Sequence, residues 1–194
     1  MGREFELKYR AFPHQLEALA QGFGPFRQIQ METTYYDTPG RLLAARKWTF
    51  RRRLENGVSV CTLKTPDKKG GRGEWETECH QILSSTSELC KLGAPAELAS
   101  LVSGGVEAVC GARFLRRACL ISLPECTVEL ALDQGVLLGG GKELPLCEVE
   151  VELKAGAEEA AVAFAAALAA KFGLQPEGKS KFKRALELAL AKER

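Results

Sequence analysis

The chain has only two histidines, His14 and His80, among its 194 residues. That scarcity removes most routes to nucleophilic catalysis, because an activated serine or cysteine normally needs a neighbouring imidazole. No Ser-His-Asp or Cys-His set stands out. A zinc site is disfavoured on related grounds. The seven cysteines, Cys61, Cys79, Cys90, Cys110, Cys119, Cys126 and Cys147, contain no CxxC pair. Apart from the adjacent Cys79 and His80, no soft ligands stand at zinc-site spacing. Scattered thiols in odd number point to a reducing, cytoplasmic compartment. Aromatic residues are sparse, at 7%, and no pocket for a base or thiazole ring is legible. No apolar run approaches the ~20 residues of a membrane helix, and the opening MGREFELK carries no apolar signal region. Net charge is +2, so bulk electrostatics favour no partner, nucleic acid included.

What is present fits one domain over residues 1–194, since 45% hydrophobic and 27% charged residues allow a sizeable core. Strands are expected at 3–10, 27–37, 47–54, 57–65, 73–82, 113–122, 126–133 and 146–153. WTFRRRLENGVSVCTLK is the clearest hairpin, because Asn56-Gly57 suits a tight turn. TPGRLLAAR reads as a turn plus a short loop, and KTPDKKGGRGE as a longer polar connection. Helices are expected in PHQLEALAQGFG, SSTSELCKLG, APAELASLVSGG, EEAAVAFAAALAAKFG and KSKFKRALELALAKER. Helices grouped between runs of strands give an α+β class with a largely antiparallel sheet. Eight strands with hairpin connections can close into a barrel.

Alternation along the strands sorts the charges. In EFELK, Glu4, Glu6 and Lys8 share one face. Arg51 and Arg53 share a face of FRRRL, and Lys64 ends the next strand. Glu74, Glu76 and Glu78 alternate with Trp75, which falls on the other face. Arg116 falls opposite Leu115 and Arg117. Glu129 and Asp133 lie opposite Val128, Leu130 and Leu132, and Glu148, Glu150 and Glu152 alternate with Val149 and Val151. Any one of these strands reads most simply as having one wet face. The set is harder to explain that way, because like charges two apart on one face repel. Closed with these faces inward, the sheet would hold charges that must be hydrated or ligand-filled. Carboxylate clusters suit Mg²⁺ or Mn²⁺, and arginines and lysines suit phosphate oxygens.

ExExK, TTYYDTPG, the RxR strand, TLK, GEWE, LALDQG, EVEVE and the terminal SKFKR stand in the order seen in CYTH-domain proteins, the triphosphate tunnel metalloenzymes, which the chain resembles over essentially its whole length. The resemblance implies a tunnel of eight antiparallel strands with hydrophilic inner walls and helices outside. It implies that Glu4 and Glu6 bind a divalent metal with Glu148 and Glu150, a face that Glu152 continues. Asp133, with Glu74, Glu76 and Glu129, would make further metal or water contacts. Lys8, Arg51, Arg53, Lys64, Arg116 and Lys181 would grip a phosphate chain, with Arg184 a less certain addition. Lys8, Arg53 and Glu74 are the expected catalytic groups, served by two divalent ions. One departure is Arg52, where the family's RxR strand usually has an apolar residue; it should point outward. The implied activity is hydrolysis of a small triphosphate, inorganic triphosphate first, by a monomer or homodimer. Thiamine triphosphate hydrolysis, cyclisation of ATP in the manner of class IV adenylyl cyclases, and non-catalytic binding of nucleotide or polyphosphate are the alternatives.

Overall fold

The computed structural model describes residues 5–66 and 72–191. Its strands are β1 (Glu6–Arg10), β2 (Arg27–Asp37), β3 (Thr49–Glu55), β4 (Val58–Pro66), β5 (Arg72–Glu78), β6 (Glu107–Ser122), β7 (Cys126–Gly139), β8 (Lys142–Gly156) and β9 (Gln175–Pro176). They form one sheet in the order β5-β4-β3-β2-β6-β7-β8-β1-β9, and all neighbours are antiparallel. The α+β class and the antiparallel sheet are as expected. Closure of eight strands is not: among the described residues the sheet has nine strands, with β5 and β9 at its edges. The second edge of β1 pairs with β9, through Tyr9 with Pro176 and Arg10 with Gln175, and not with β5. A two-residue strand containing proline, which lacks a donor, leaves no alternation in the sequence to reveal it. The sheet still curls far enough that residues from every strand β1 to β8 line one cavity.

Strands β6 to β8 run longer than their charged alternation suggested. Beyond Asp133 the concave face changes character to Gly135, Leu137 and Leu146, so the polar signal stops where the strand does not. The long β7–β8 hairpin turns at Gly140 and Gly141, whose φ values of 58° and 74° favour glycine.

The helices are α1 (Pro13–Gly22), α2 (Leu42–Ala45), α3 (Ser85–Lys91), α4 (Glu97–Leu101), α5 (Glu158–Phe172) and α6 (Lys181–Leu190). Helix α2 lies where a loop was expected. It forms because the buried Asp37 carboxylate accepts the backbone N–H groups of Thr38, Leu43 and Ala44 at 2.7, 3.0 and 3.1 Å, supplying acceptors to otherwise orphaned donors.

The outer face is covered in two places. Helices α1 and α5 seal Tyr9, Val128, Leu130, Leu132, Val149 and Val151. In α5, Ala161, Ala165 and Leu168 recur on one stripe and are buried, with acids Glu158 and Glu159 in the first turn and Lys171 in the last, matching the helix dipole. A second core joins Phe50, Leu63 and Trp75 to Leu89, Leu98 and Val102 of the short-helix region. Each fully buried leucine in these cores contributes about 2 kcal/mol. Arg52 does point outward, as its alternation required, and donates to the carbonyl of His80 at 2.9 Å.

Helix α6 does something different: it packs on the concave face. Phe182, Ala185, Leu186 and Ala189 meet Ile29, Met31, Tyr35, Ala112, Phe114, Leu137 and Leu146. The approach is close enough to require glycine at 139, where a Cβ would lie 2.4 Å from Ala185 O and 2.7 Å from Ala189 N. The Ser180 hydroxyl accepts from Lys183 N at 3.2 Å and starts the helix, setting Lys181 in its first turn against the sheet.

Candidate active site

Register turns the inward charges into rows across neighbouring strands. Glu6, Glu152 and Glu129 stand side by side on β1, β8 and β7. One step deeper come Lys8, Glu150 and Ala131. The next row is Arg10, Glu148, Asp133 and Arg116. Antiparallel Cβ neighbours lie ~5 Å apart, so each row concentrates its charges without any help from sequence proximity.

These rows form one wall of a cavity of about 310 Å³. Lys8, Arg51, Arg53, Lys64, Arg116 and Lys181 all line it, as do Glu6, Glu74, Glu76, Glu129, Glu150 and Glu152. Asp133 and Glu148 lie behind its surface, with fully buried side chains. Glu4 lies outside the described residues. Trp75 is in the outer core and not at the cavity, as its alternation required.

On the opposite wall, Glu74 faces Lys64 at 3.1 Å and Arg51 at 3.5 Å, tying β5 to both cations. Arg53 donates from Nε to Glu55 at 2.6 Å. Burial pushes the Arg53 pKa below its ordinary value, and the like charge of Arg51 adds to the effect. Lys8 reaches Glu6 at 3.1 Å.

The deepest feature is an ion cluster. Asp133, Glu148 and Glu150 each offer a carboxylate oxygen within 4.8 Å of the others, a grouping able to hold a cation. The cation there is the ammonium of Lys181. Its Nζ lies 2.8 Å from Asp133 and 2.6 Å from Glu150 and is also bonded to Glu148. Arg116 binds Asp133 through two parallel hydrogen bonds of 2.8 and 2.7 Å and also bonds Glu150. Arg184 bonds Glu148 and lies 3.6 Å from Glu177. Burial raises the Glu148 carboxyl to about 7 against the pull of Lys181, with Glu150 adding to the rise. For Glu150, burial is outweighed by Lys181 and Arg116, which hold it well below the ordinary range. Burial alone would lower Lys181, but Asp133, Glu150 and Glu148 reverse this and raise it.

Four residues at or near the site escaped the sequence reading. Glu55, Arg27 and Lys154 line the cavity. Lys154 was legible, two positions beyond Glu152 in EVEVELK. Glu177 was not: it becomes a ligand of Arg10, at 2.5 Å, only because β9 lies beside β1. The seven cysteines are free. Burial pushes Cys61 up to about 11 and Cys110 up to about 12, far from thiolate reactivity at neutral pH.

An antiparallel sheet thus curls around rows of opposed acids and bases, with α1 and α5 on its outer face and α6 on its concave one. Residues 2–186 match the CYTH domain, and the chain belongs to that family. It is 30% identical over 163 residues to the inorganic triphosphatase of Haemophilus influenzae, a match covering 80% of this chain and 46% of that protein. The chain thus spans about half the length of this curated relative. Among solved structures, a candidate adenylyl cyclase from Hippeastrum, described as having a dominant triphosphatase activity, superposes with a TM-score of 0.66 at 19% identity, covering 98% of each chain. The PH1819 protein of Pyrococcus horikoshii gives 0.62 at 22% identity over 95% of this chain and 99% of that one. These likenesses establish the fold. No helix among the described residues is long and apolar enough to cross a membrane.

Proposed function

We propose that this protein hydrolyses the phosphoanhydride bond of a triphosphate in a divalent-metal-dependent reaction, with inorganic triphosphate as the preferred substrate. One observation carries the reading: Arg51, Arg53 and Lys64 line the same cavity as a carboxylate row whose neighbouring rows hold Lys8 and Arg116.

The donor set fits Mg²⁺ or Mn²⁺. Glu6, Glu152 and Glu129 are hard oxygen ligands in one row, and their side chains are 28%, 27% and 17% exposed, so a hydrated ion can enter and keep some of its water. Glu4, two residues before Glu6 on the same alternation, would join them. We assign the metal to this row in preference to Asp133 and Glu148, whose cluster Lys181 already fills. Glu150, in the adjacent row, borders both. A bound ion would polarise phosphate oxygens and make an attacking water more acidic, and a second ion is part of the reading.

The chain's own residues do the rest. Lys8, Arg51, Arg53, Lys64 and Arg116 align the phosphate chain and neutralise its oxygens, so that charge developing on the leaving phosphate meets preorganised donors. Glu74 acts on this wall by orienting Lys64 and Arg51. Lys181 closes the deep end, where its ammonium faces both the cavity and the acid cluster. Inorganic triphosphate leads over nucleotides because Tyr35, Phe114 and Phe182, the aromatic side chains among the described lining residues, are packed into the α6 core, while most of the lining is charged. The named activity of the Haemophilus relative supports the same substrate.

The test is phosphate release from inorganic triphosphate, ATP and thiamine triphosphate, each with Mg²⁺, Mn²⁺ or EDTA. Release from inorganic triphosphate that EDTA abolishes is expected. Preference for an organic triphosphate would overturn the substrate. Cyclic AMP and pyrophosphate from ATP would replace hydrolysis with cyclisation, and metal-dependent binding without turnover would make the protein a binder.

A further inference from the structure

Lys154 occupies an irregular place in the β7–β8 ladder. The register steps from Thr127 opposite Ala155 to Val128 opposite Leu153, which leaves Lys154 without a ladder partner. Lys154 lines the cavity on the same side as Glu152, as its place two residues further along the strand requires, and the bulge takes its backbone out of the ladder. Its Nζ lies 2.8 Å from Glu152 and 3.8 Å from Glu129. Two carboxylates of the row proposed to hold the metal are therefore already bridged by an ammonium.

This bridge differs in kind from the one Lys181 makes. Lys181 is 10% exposed and touches three carboxylates, so withdrawing it would strand buried charge. The Lys154 side chain is 36% exposed and has one close partner, and ion pairs of that sort are weak enough to exchange. A divalent ion outcompetes a single ammonium for a carboxylate row through its greater charge, and the long lysine stem lets the displaced head move while its Cα stays fixed.

We infer that Lys154 is an exchangeable internal counter-ion of the metal row. It holds Glu129 and Glu152 together before a divalent ion arrives, gives them up to the ion, and then presents its ammonium to the phosphate chain entering at the same end of the cavity. Lys154 thus sets metal affinity in one direction and substrate affinity in the other. The inference rests on the metal assignment proposed above.

Mn²⁺ titration of the full chain, by calorimetry and by the loss of free-ion electron paramagnetic resonance signal, reads the first effect without turnover. Lys154→Met keeps the apolar stem and removes the charge. It is expected to bind Mn²⁺ roughly three- to tenfold tighter, the scale of a half-exposed ion pair, while Lys154→Arg stays near wild type. At saturating Mn²⁺, Lys154→Met should raise KM for inorganic triphosphate several-fold. If Lys154→Met binds Mn²⁺ no tighter than wild type while Glu6→Gln loses binding, the inference falls and the metal row stands. If wild type binds no Mn²⁺, both fall.

Discussion

Replacing Lys181 with methionine removes one ammonium from the centre of the deep cluster and leaves its shape nearly unchanged. Three carboxylates there, Asp133, Glu148 and Glu150, are balanced by Lys181, Arg116 and Arg184. The variant keeps the three acids and two of the cations. Breaking a buried ion pair on one side costs about 3–5 kcal/mol, and for a chain of this length each kcal/mol moves Tm by about 2–4 °C. The expected fall in Tm at pH 8, in EDTA, is thus roughly 10 °C. The loss should depend on pH. Glu148 is raised to about 7 in the folded protein, above its unfolded value, so the folded state holds an extra proton between those two values. Stability from this group is full at low pH and is lost as pH rises through about 7. In the variant Glu148 loses the lysine that favours its charged form and takes up a proton more readily. The penalty at pH 5.5 should therefore be smaller than at pH 8. Mn²⁺ should stabilise the variant more than it stabilises wild type, because the emptied carboxylates are within 4.8 Å of one another. Thermal unfolding followed by circular dichroism measures all three. A fall of less than about 2 °C at pH 8, or a penalty equal at both pH values, would refute the view of Lys181 as the ion that holds these carboxylates charged.

Two further substitutions separate chemistry from fold. Arg53→Ala should cut triphosphate hydrolysis by about a hundredfold or more, the scale of a lost charge-stabilising donor, yet leave Tm level or slightly higher, because it relieves the repulsion with Arg51. Near-normal turnover would remove Arg53 from the phosphate grip. Gly139→Val should destabilise by about 1–3 kcal/mol, since the added Cβ meets the α6 backbone at 2.4 Å. Urea unfolding would show it as a lower midpoint, and an unchanged midpoint would mean that α6 does not rest on β7 in solution.

Much of the site could be read from alternation alone, since side chains two apart on a strand share a face whatever the fold. That put Lys8, Arg51, Arg53, Lys64 and Arg116 on the charged faces of their strands and Trp75 and Arg52 on the opposite ones, and the family resemblance implied that the charged faces turn inward. Strand ends were legible where the alternation ended with the strand, as in β2, and were missed where the concave face turned apolar, as after Asp133.

Pairing partners were a different matter. No local pattern states that Glu6 stands beside Glu152 and Glu129, or that Glu148 and Asp133 share a row with Arg116, because those registers join different strands, in the case of Glu6 and Glu152 strands from opposite ends of the chain. The same holds for Lys181: the family resemblance placed it at the site, SKFKR by itself also reads as a wet first turn, and the docking of α6 on the concave face is what buries its ammonium among three carboxylates. Which acids face a metal and which face a lysine is thus a property of the assembled sheet. Charge type and facing belong to the local chain, and they were determined by the sequence. Neighbourhood, burial and the resulting shifts in proton affinity arise from long-range register and from α6, and only the tertiary structure decided them.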